Sequence, residues 1–146
     1  MTRLLSALVR CRGGTTAIEF ALVLPAFLGL IFGTVEYGRL LWTREALQEV
    51  ATAGARCMAV RASNCASGGS YSASNTTSYI QNLAADWDLS LPSANITLTY
   101  GTTCAGASGF SSVSVTTTFK SVVPKIMMLP GNGTTLDASA CFPDTP

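Results

Sequence analysis

Glu19 is the residue of this sequence whose position most demands a chemical explanation. It is the one charged side chain in a long apolar run from Ala17 to Val35. An unpaired carboxylate at membrane depth is energetically costly, so residues of this kind usually have a function and a partner. Glu19 is therefore the first candidate for a functional site, and a cation is its expected partner.

Cysteine is the second residue type here that could do chemistry. Cys11 precedes the apolar run, and the other four cysteines follow it. Four cysteines in an oxidising compartment suggest two disulfides, which can be connected in three ways. A zinc site is a weaker alternative because there is no CxxC pair and no histidine, so we expect no bound metal. The disulfide candidates are Cys57, Cys65, Cys104 and Cys141.

The residue types needed for catalysis are largely missing. Without histidine, neither a Ser-His-Asp nor a Cys-His arrangement can be built. Asp86 and Asp88 are a nearby carboxylate pair, but they flank Trp87 and are typical of solvated residues at a helix end. The sequence also lacks a glycine-rich loop that could hold a phosphate. We therefore expect a protein that is not an enzyme and needs no cofactor.

The charged residues are few and unevenly distributed. They make up 12% of the 146 residues, and the mean hydropathy is +0.37, which fits a membrane segment joined to a small domain. The first fourteen residues carry three arginines and no acid. This end is expected to stay in the cytoplasm, with the C-terminal domain across the membrane. No basic patch or stripe suggests nucleic-acid binding.

The apolar run that holds Glu19 predicts a membrane helix. It supplies about 20 residues, enough for a hydrocarbon core of ~30 Å. A buried core helix is the alternative, but the rest of the chain is too short to enclose a helix that is apolar on all faces. A cleaved secretory signal is disfavoured because residues 36–39 form a poor cleavage site. Tyr37 and Trp42 suit the far membrane interface.

Three residues within the span bear on how the helix packs. Pro25 removes one backbone hydrogen bond and is expected to kink the helix. Gly29 and Gly33 form a GxxxG pattern, which offers a face on which another helix can pack closely. These three are the candidate helix-packing residues.

The helical period continues past Trp42 to about Val60, with apolar positions on one stripe and charged positions opposite. This second half of the helix must pack on its own domain or on other copies of the chain. The stripe comprises Leu40, Leu47, Val50, Ala51, Gly54, Ala55 and Met58. We divide the chain into a basic leader (1–14), a transmembrane helix half (15–42), an amphipathic helix half (43–61) and a small domain (62–146).

The small domain is predicted to be of the α+β class. A polar loop leads to a short helix that Thr76 or Thr77 caps. We expect an antiparallel three-stranded sheet packed on the long helix, with the short helix as an addition. The strands are predicted from three runs of alternating polarity, at residues 95–100, 111–119 and 136–142.

This strand order favours one of the three disulfide connectivities. In an antiparallel meander, the residue after the first strand and the end of the third strand lie at the same end of the sheet. We therefore prefer a bond between Cys104 and Cys141, which leaves Cys57 and Cys65 as a local pair.

An apolar stretch, Val122–Gly131, lies between the second and third strands. It either folds under the sheet as part of the core or contacts a partner or the membrane surface.

The start of the chain resembles the class III signal of type IV pilin-like proteins. Such a signal has a short basic leader that ends in glycine, followed by a glutamate five residues on, inside an apolar helix. By this resemblance Gly14 is the last leader residue, Thr15 is the new N-terminus, and Glu19 is the fifth residue after cleavage.

Longer motifs at residues 12–25, 32–39 and 53–56 are similar to the TadE-like family of minor pilins. Together they cover residues 12–60. The C-terminal domain matches only through its β-rich, cysteine-containing character.

The resemblance implies a bacterial inner-membrane prepilin with a periplasmic domain, cut on the cytoplasmic face by a dedicated aspartic prepilin peptidase. Such a minor pilin, or pseudopilin, acts with other pilins and with the inner-membrane pilus assembly platform to build a tight-adherence pilus for adhesion and biofilm formation. Leader removal would create an ammonium at Thr15. Pairing that ammonium with Glu19 of a neighbouring subunit would favour one axial register.

Two other functions remain open. The chain is alternatively a single-pass envelope protein whose outer domain binds a ligand or partner unrelated to pili, with the glycine-glutamate signal accidental. A weaker alternative is an envelope enzyme or redox protein that uses its cysteines.

Overall fold

The computed structural model describes residues 15–121 and 133–145. Within them, a long helix carries a shorter helix and a three-stranded antiparallel sheet, which confirms the predicted α+β class. The basic leader and the stretch Val122–Gly131 lie outside the described residues. The elements are α1 (Thr15–Ala59), β1 (Ala66–Ser67), β2 (Ser70–Tyr71), α2 (Ala73–Asp86), a 3-10 turn (Ser93–Asn95), β3 (Ile96–Cys104), β4 (Ala107–Thr118) and β5 (Thr135–Pro143).

As far as Val35, α1 is apolar apart from Glu19, and the rest of the described chain buries none of its residues from Thr16 to Val35. The helix is long and apolar enough to cross a membrane, and none of its most apolar window is buried. Large side chains point outward here, with Ile18 65% exposed and Leu30 70% exposed. A helix in a soluble core would be mostly buried. The exposed apolar surface of α1 therefore fits a helix that crosses a membrane once better than a helix buried in a soluble core.

The second half of α1 forms one wall of the hydrophobic core. Its buried stripe belongs to one cluster with Ile80 and Ala84 of α2 and with Val113 and Val115 of β4. Of the two surfaces left open by the sequence, the stripe thus packs on its own domain. Its fully buried members in this cluster are Leu47, Val50, Ala51, Ala55 and Met58.

The sheet has the strand order β3-β4-β5, with antiparallel pairing throughout, as predicted. Val115 of the central strand lies opposite Ile96 of β3 and Ala138 of β5. Val115 and Ala138 are both buried. Side chains alternate between the two faces of a strand, so one face of the sheet covers the amphipathic half of α1.

Strand β3 is longer than its alternating pattern predicts. Its register with β4 shifts between Thr99 and Thr103, and Gly101 within the shift has φ +68°, a conformation that glycine adopts without strain. An irregularity of this kind bends a strand and interrupts the alternation of its side chains. The polarity pattern therefore ends near Tyr100 although the strand continues.

The predicted cap of the short helix is wrong by one turn. Helix α2 begins at Ala73, and its N-cap is Ser72, whose hydroxyl accepts a hydrogen bond from the backbone N–H of Asn75. Thr76 instead lies inside the helix, fully buried, and its hydroxyl donates to the Ser72 carbonyl at 2.8 Å. The Thr77 hydroxyl donates to the Ala73 carbonyl in the same way.

The two disulfides have the connectivity that the strand order favours. Cys57 at the end of α1 is bonded to Cys65, with 5.9 Å between their Cα atoms. Cys104 is bonded to Cys141, with a Cα separation of 6.5 Å. The second bond joins the two edge strands of the sheet.

Candidate functional site

The predicted processing and assembly residues lie at the start of the chain. Gly14 is outside the described residues, and Thr15 is the first helical residue that is described. Glu19 is exposed on α1 between Ile18 and Phe20, each 65% exposed. Residues four apart share a helix face, so Thr15 and Glu19 lie on one side of α1. A carboxylate in this apolar setting can accept hydrogen bonds from an ammonium group.

The three helix-packing candidates all lie within the uncovered half of α1. Gly29 and Gly33 are one turn apart and share a face. Pro25 has no N–H to donate along the helix. Neighbouring Phe27 and Leu30 are exposed, at 56% and 70%. The apolar surface that a second helix would need is therefore present, while the kink and the helix contact remain predictions.

A buried carboxylate follows the apolar run. Glu36 is 3% exposed, and its Oε2 accepts a hydrogen bond from Nη1 of Arg39 at 2.8 Å. The Arg39 guanidinium also lies over the Phe119 ring, 5.6 Å from its centroid. A buried charge must be paired to be tolerated. The Glu36–Arg39–Phe119 contact therefore links α1 to the end of β4.

A groove opens beside this contact, between α1 and the turn that follows α2. It has a volume of about 450 Å³, and Val35, Arg39 and Trp42 line one side while Trp87, Asp88 and Leu89 line the other. The Trp42 and Trp87 rings are tilted against each other with their centroids 5.6 Å apart. Arg39 brings a cation to the groove and Asp88 brings a carboxylate.

Sequence reasoning missed this groove. The helical spacing places Glu36 and Arg39 on neighbouring turns, but it cannot show that Glu36 is buried or that Phe119 lies against Arg39. Trp42 and Trp87 are far apart in the chain. One signal existed in the sequence, because Trp42 lies in α1 and Trp87 directly follows α2, each next to an apolar stripe that must pack against other parts of the chain.

The chemistry available elsewhere is limited. Cys57, Cys65, Cys104 and Cys141 are all in disulfides. Within residues 15–121 and 133–145, no three metal-binding side chains come together in a cluster.

The end of the described chain is held against the end of α1 by two hydrogen bonds. The Thr145 hydroxyl donates to the Ala59 carbonyl, and Arg61 donates to the Thr145 carbonyl at 2.7 Å.

A comparison with protein families matches the long helix. Residues 14–56 match the model of the family described as TadE-like protein. No curated protein and no solved structure matches the chain. The family match spans nearly all of α1, including Glu19, the glycine pair and the Glu36–Arg39 ion pair. The match covers less than a third of the chain, and through this helix the chain is similar to TadE-like proteins, which supports a place in the tight-adherence pilus system.

Proposed function

We propose that this chain is a membrane-anchored minor pilin, or pseudopilin, that takes part in assembling a tight-adherence pilus for adhesion and biofilm formation. The family match over residues 14–56 carries the proposal, because it coincides with the helix that has an uncovered apolar half. An apolar helix joined directly to a small folded domain suits a subunit that leaves the membrane by joining other helices.

The proposed topology places the leader in the cytoplasm and the domain in the periplasm, with α1 crossing the bacterial inner membrane. Two observations support it. The leader carries three arginines and no acid, which favours retention on the cytoplasmic side. The two disulfides lie beyond the span and require an oxidising compartment to persist.

The proposed maturation step is cleavage between Gly14 and Thr15 by a prepilin peptidase. Cleavage frees an ammonium group at Thr15, which pairs with Glu19 of a neighbouring subunit. In an apolar environment this ion pair forms only in one axial register. Uncut subunits lack the ammonium and are excluded. The partners are then other pilins or pseudopilins and the inner-membrane assembly platform, and the role needs no catalysis, metal or cofactor.

The mature N-terminus tests this proposal. The chain is expressed in a cell that contains the pilus system, purified from membranes and analysed by intact-mass and N-terminal mass spectrometry. An N-terminus at Thr15 is expected. The same measurement on a strain without the prepilin peptidase should give Met1. A wild-type chain that keeps residues 1–14 contradicts the proposal and supports a simple membrane anchor.

A further inference from the structure

The groove between α1 and the turn after α2 lies where the apolar run ends. Val35 is the last residue of that run, and Arg39 and Trp42 follow it one and two turns later on the same face of α1. The rise from Val35 to Trp42 is ~10 Å. A lipid headgroup layer is roughly 5–8 Å thick on each side of the hydrocarbon core. If α1 crosses the membrane, the groove spans the depth of the headgroups.

Arg39 in the lining of the groove is suited to bind a phosphate. Guanidinium groups recognise phosphate with paired hydrogen bonds. Arg39 is anchored by Glu36 and by the Phe119 ring, yet its side chain is 45% exposed. A guanidinium has five N–H donors, and its hydrogen bond to Glu36 uses one of them. The Arg39 guanidinium is therefore held in position and has further N–H groups that can donate hydrogen bonds to a ligand.

Other residues that line the groove are suited to a small organic cation. Asp88 lines it as a carboxylate, and Trp42 and Trp87 line it with indole rings. Aromatic faces attract ammonium groups through cation–π interactions, and tryptophan does so most strongly. A groove lined by a guanidinium, a carboxylate and two indole rings is complementary to a zwitterion.

We propose that this groove binds the headgroup of an amine-bearing zwitterionic phospholipid, phosphatidylethanolamine, with its phosphate on Arg39 and its ammonium against Asp88 and the two tryptophans. The proposal rests on α1 crossing a membrane. The acyl chains continue downward along the apolar surface at Val35. An anionic phosphatidylglycerol headgroup has no cation to set against Asp88, and phosphatidylcholine has no N–H to donate to it.

The chain contains two tryptophans, and both line the groove, so intrinsic tryptophan fluorescence reports on this site alone. The full chain is reconstituted in phosphatidylcholine vesicles that hold a small fraction of phosphatidylethanolamine or phosphatidylglycerol with brominated acyl chains. Bromine quenches tryptophan over a short range. We expect the brominated phosphatidylethanolamine to quench more strongly at equal mole fraction.

Asp88→Asn is the decisive variant. Asp88 has φ +58°, and asparagine tolerates this conformation, so the change removes the charge and keeps the shape. We expect the preference for phosphatidylethanolamine over phosphatidylglycerol to fall about tenfold. Asp86→Asn is the matched control, because Asp86 is exposed at the end of α2 outside the groove, and it should keep the wild-type preference.

Three results would overturn the lipid proposal: equal quenching by both lipids, stronger quenching by phosphatidylglycerol, or an unchanged preference in Asp88→Asn. The assay needs neither cleavage nor pilus assembly. Its failure therefore leaves the pilin proposal standing, whereas a mature N-terminus at Met1 would overturn the pilin proposal and leave the lipid result unaffected.

Discussion

Two carboxylates in the first half of α1, Glu19 and Glu36, have opposite surroundings. Glu36 is 3% exposed and lies 2.8 Å from the Arg39 guanidinium, so its charge is balanced within its own helix. Glu19 is exposed on an apolar surface, and the described residues give it no hydrogen bond or ion pair. A carboxylate with these surroundings at lipid depth gains most from a cation on another chain.

Replacing Glu19 by alanine should therefore abolish assembly without preventing membrane insertion. Breaking a buried ion pair by removing one partner costs about 3–5 kcal/mol, which corresponds to more than a hundredfold loss of association. We expect Glu19→Ala to be cleaved and inserted largely as wild type but to be lost from complexes with the pilus machinery. Co-purification of the tagged chain with other pilus subunits measures this.

Glu45→Ala provides the control for that experiment. Glu45 is another exposed glutamate of α1, beyond the apolar run, and its loss should leave co-purification unchanged. Normal co-purification of Glu19→Ala with the pilus machinery would refute the pairing of Glu19 with a neighbouring N-terminus.

At the scale of elements, α1 and α2 are closely packed at Gly54. A Cβ atom built at this position would lie 2.8 Å from Cδ1 and 2.9 Å from Cγ1 of Ile80. Real Cβ atoms essentially never come so close to another heavy atom. Glycine costs about 1 kcal/mol of helix propensity relative to alanine, so its presence within the last two turns of α1 is explained by this packing.

Gly54→Leu should destabilise the domain. Leucine is a good helix former, so any loss comes from the clash with Ile80. Overpacking of this kind costs about 1–3 kcal/mol. Thermal unfolding of the detergent-solubilised chain, followed by circular dichroism, should show a lower Tm. Gly38→Ala is the control, because nothing lies within 4 Å of its added Cβ, and its Tm should be equal or higher.

The elements could be predicted from the sequence where local patterns determine them. The long helix, the three strands and their order follow from periodicity and strand length. The N-cap of α2 could not be predicted from the sequence, because Ser72 and Thr76 are both acceptable N-cap residues. Only the tertiary packing shows that Thr76 is buried inside the helix. The end of β3 was missed because the register shift interrupts its alternation.

The candidate sites also differ in whether the sequence could predict them. Glu19 stands out in the sequence because a charge in an apolar run is conspicuous, and its spacing from Gly14 carries a recognisable signal. The groove around Arg39 could not be foreseen, since it depends on Phe119 and Trp87 reaching α1 from distant parts of the chain. Contacts between single side chains that are far apart in the chain produce no periodic pattern in the sequence.

At the scale of the molecule, the two disulfides should contribute unequally to stability. The Cys104–Cys141 bond has a sequence separation of 37 and the Cys57–Cys65 bond one of 8. Closing the longer loop in the unfolded chain removes more entropy, about 4 kcal/mol against about 2.5 kcal/mol in the chain-entropy model. Replacing Cys104 and Cys141 by serine should therefore lower stability more than replacing Cys57 and Cys65.

Denaturant unfolding of the two double variants, side by side with the wild-type chain, measures the difference. Non-reducing peptide mapping of the wild-type chain should recover each predicted cysteine pair. A larger loss on removing the Cys57–Cys65 bond would contradict the loop-length argument. A peptide that joins Cys57 to Cys104 would contradict the connectivity itself.

The continuity of α1 has a mechanical consequence. The helix is continuous from Thr15 to Ala59, so the buried stripe of the domain and the uncovered apolar half belong to one rod of ~68 Å. Between them there is no loop to stretch. A pulling force on the domain therefore reaches the apolar half with little slack, and a twist of one end turns the other. The folded domain and the apolar half of α1 should therefore move together.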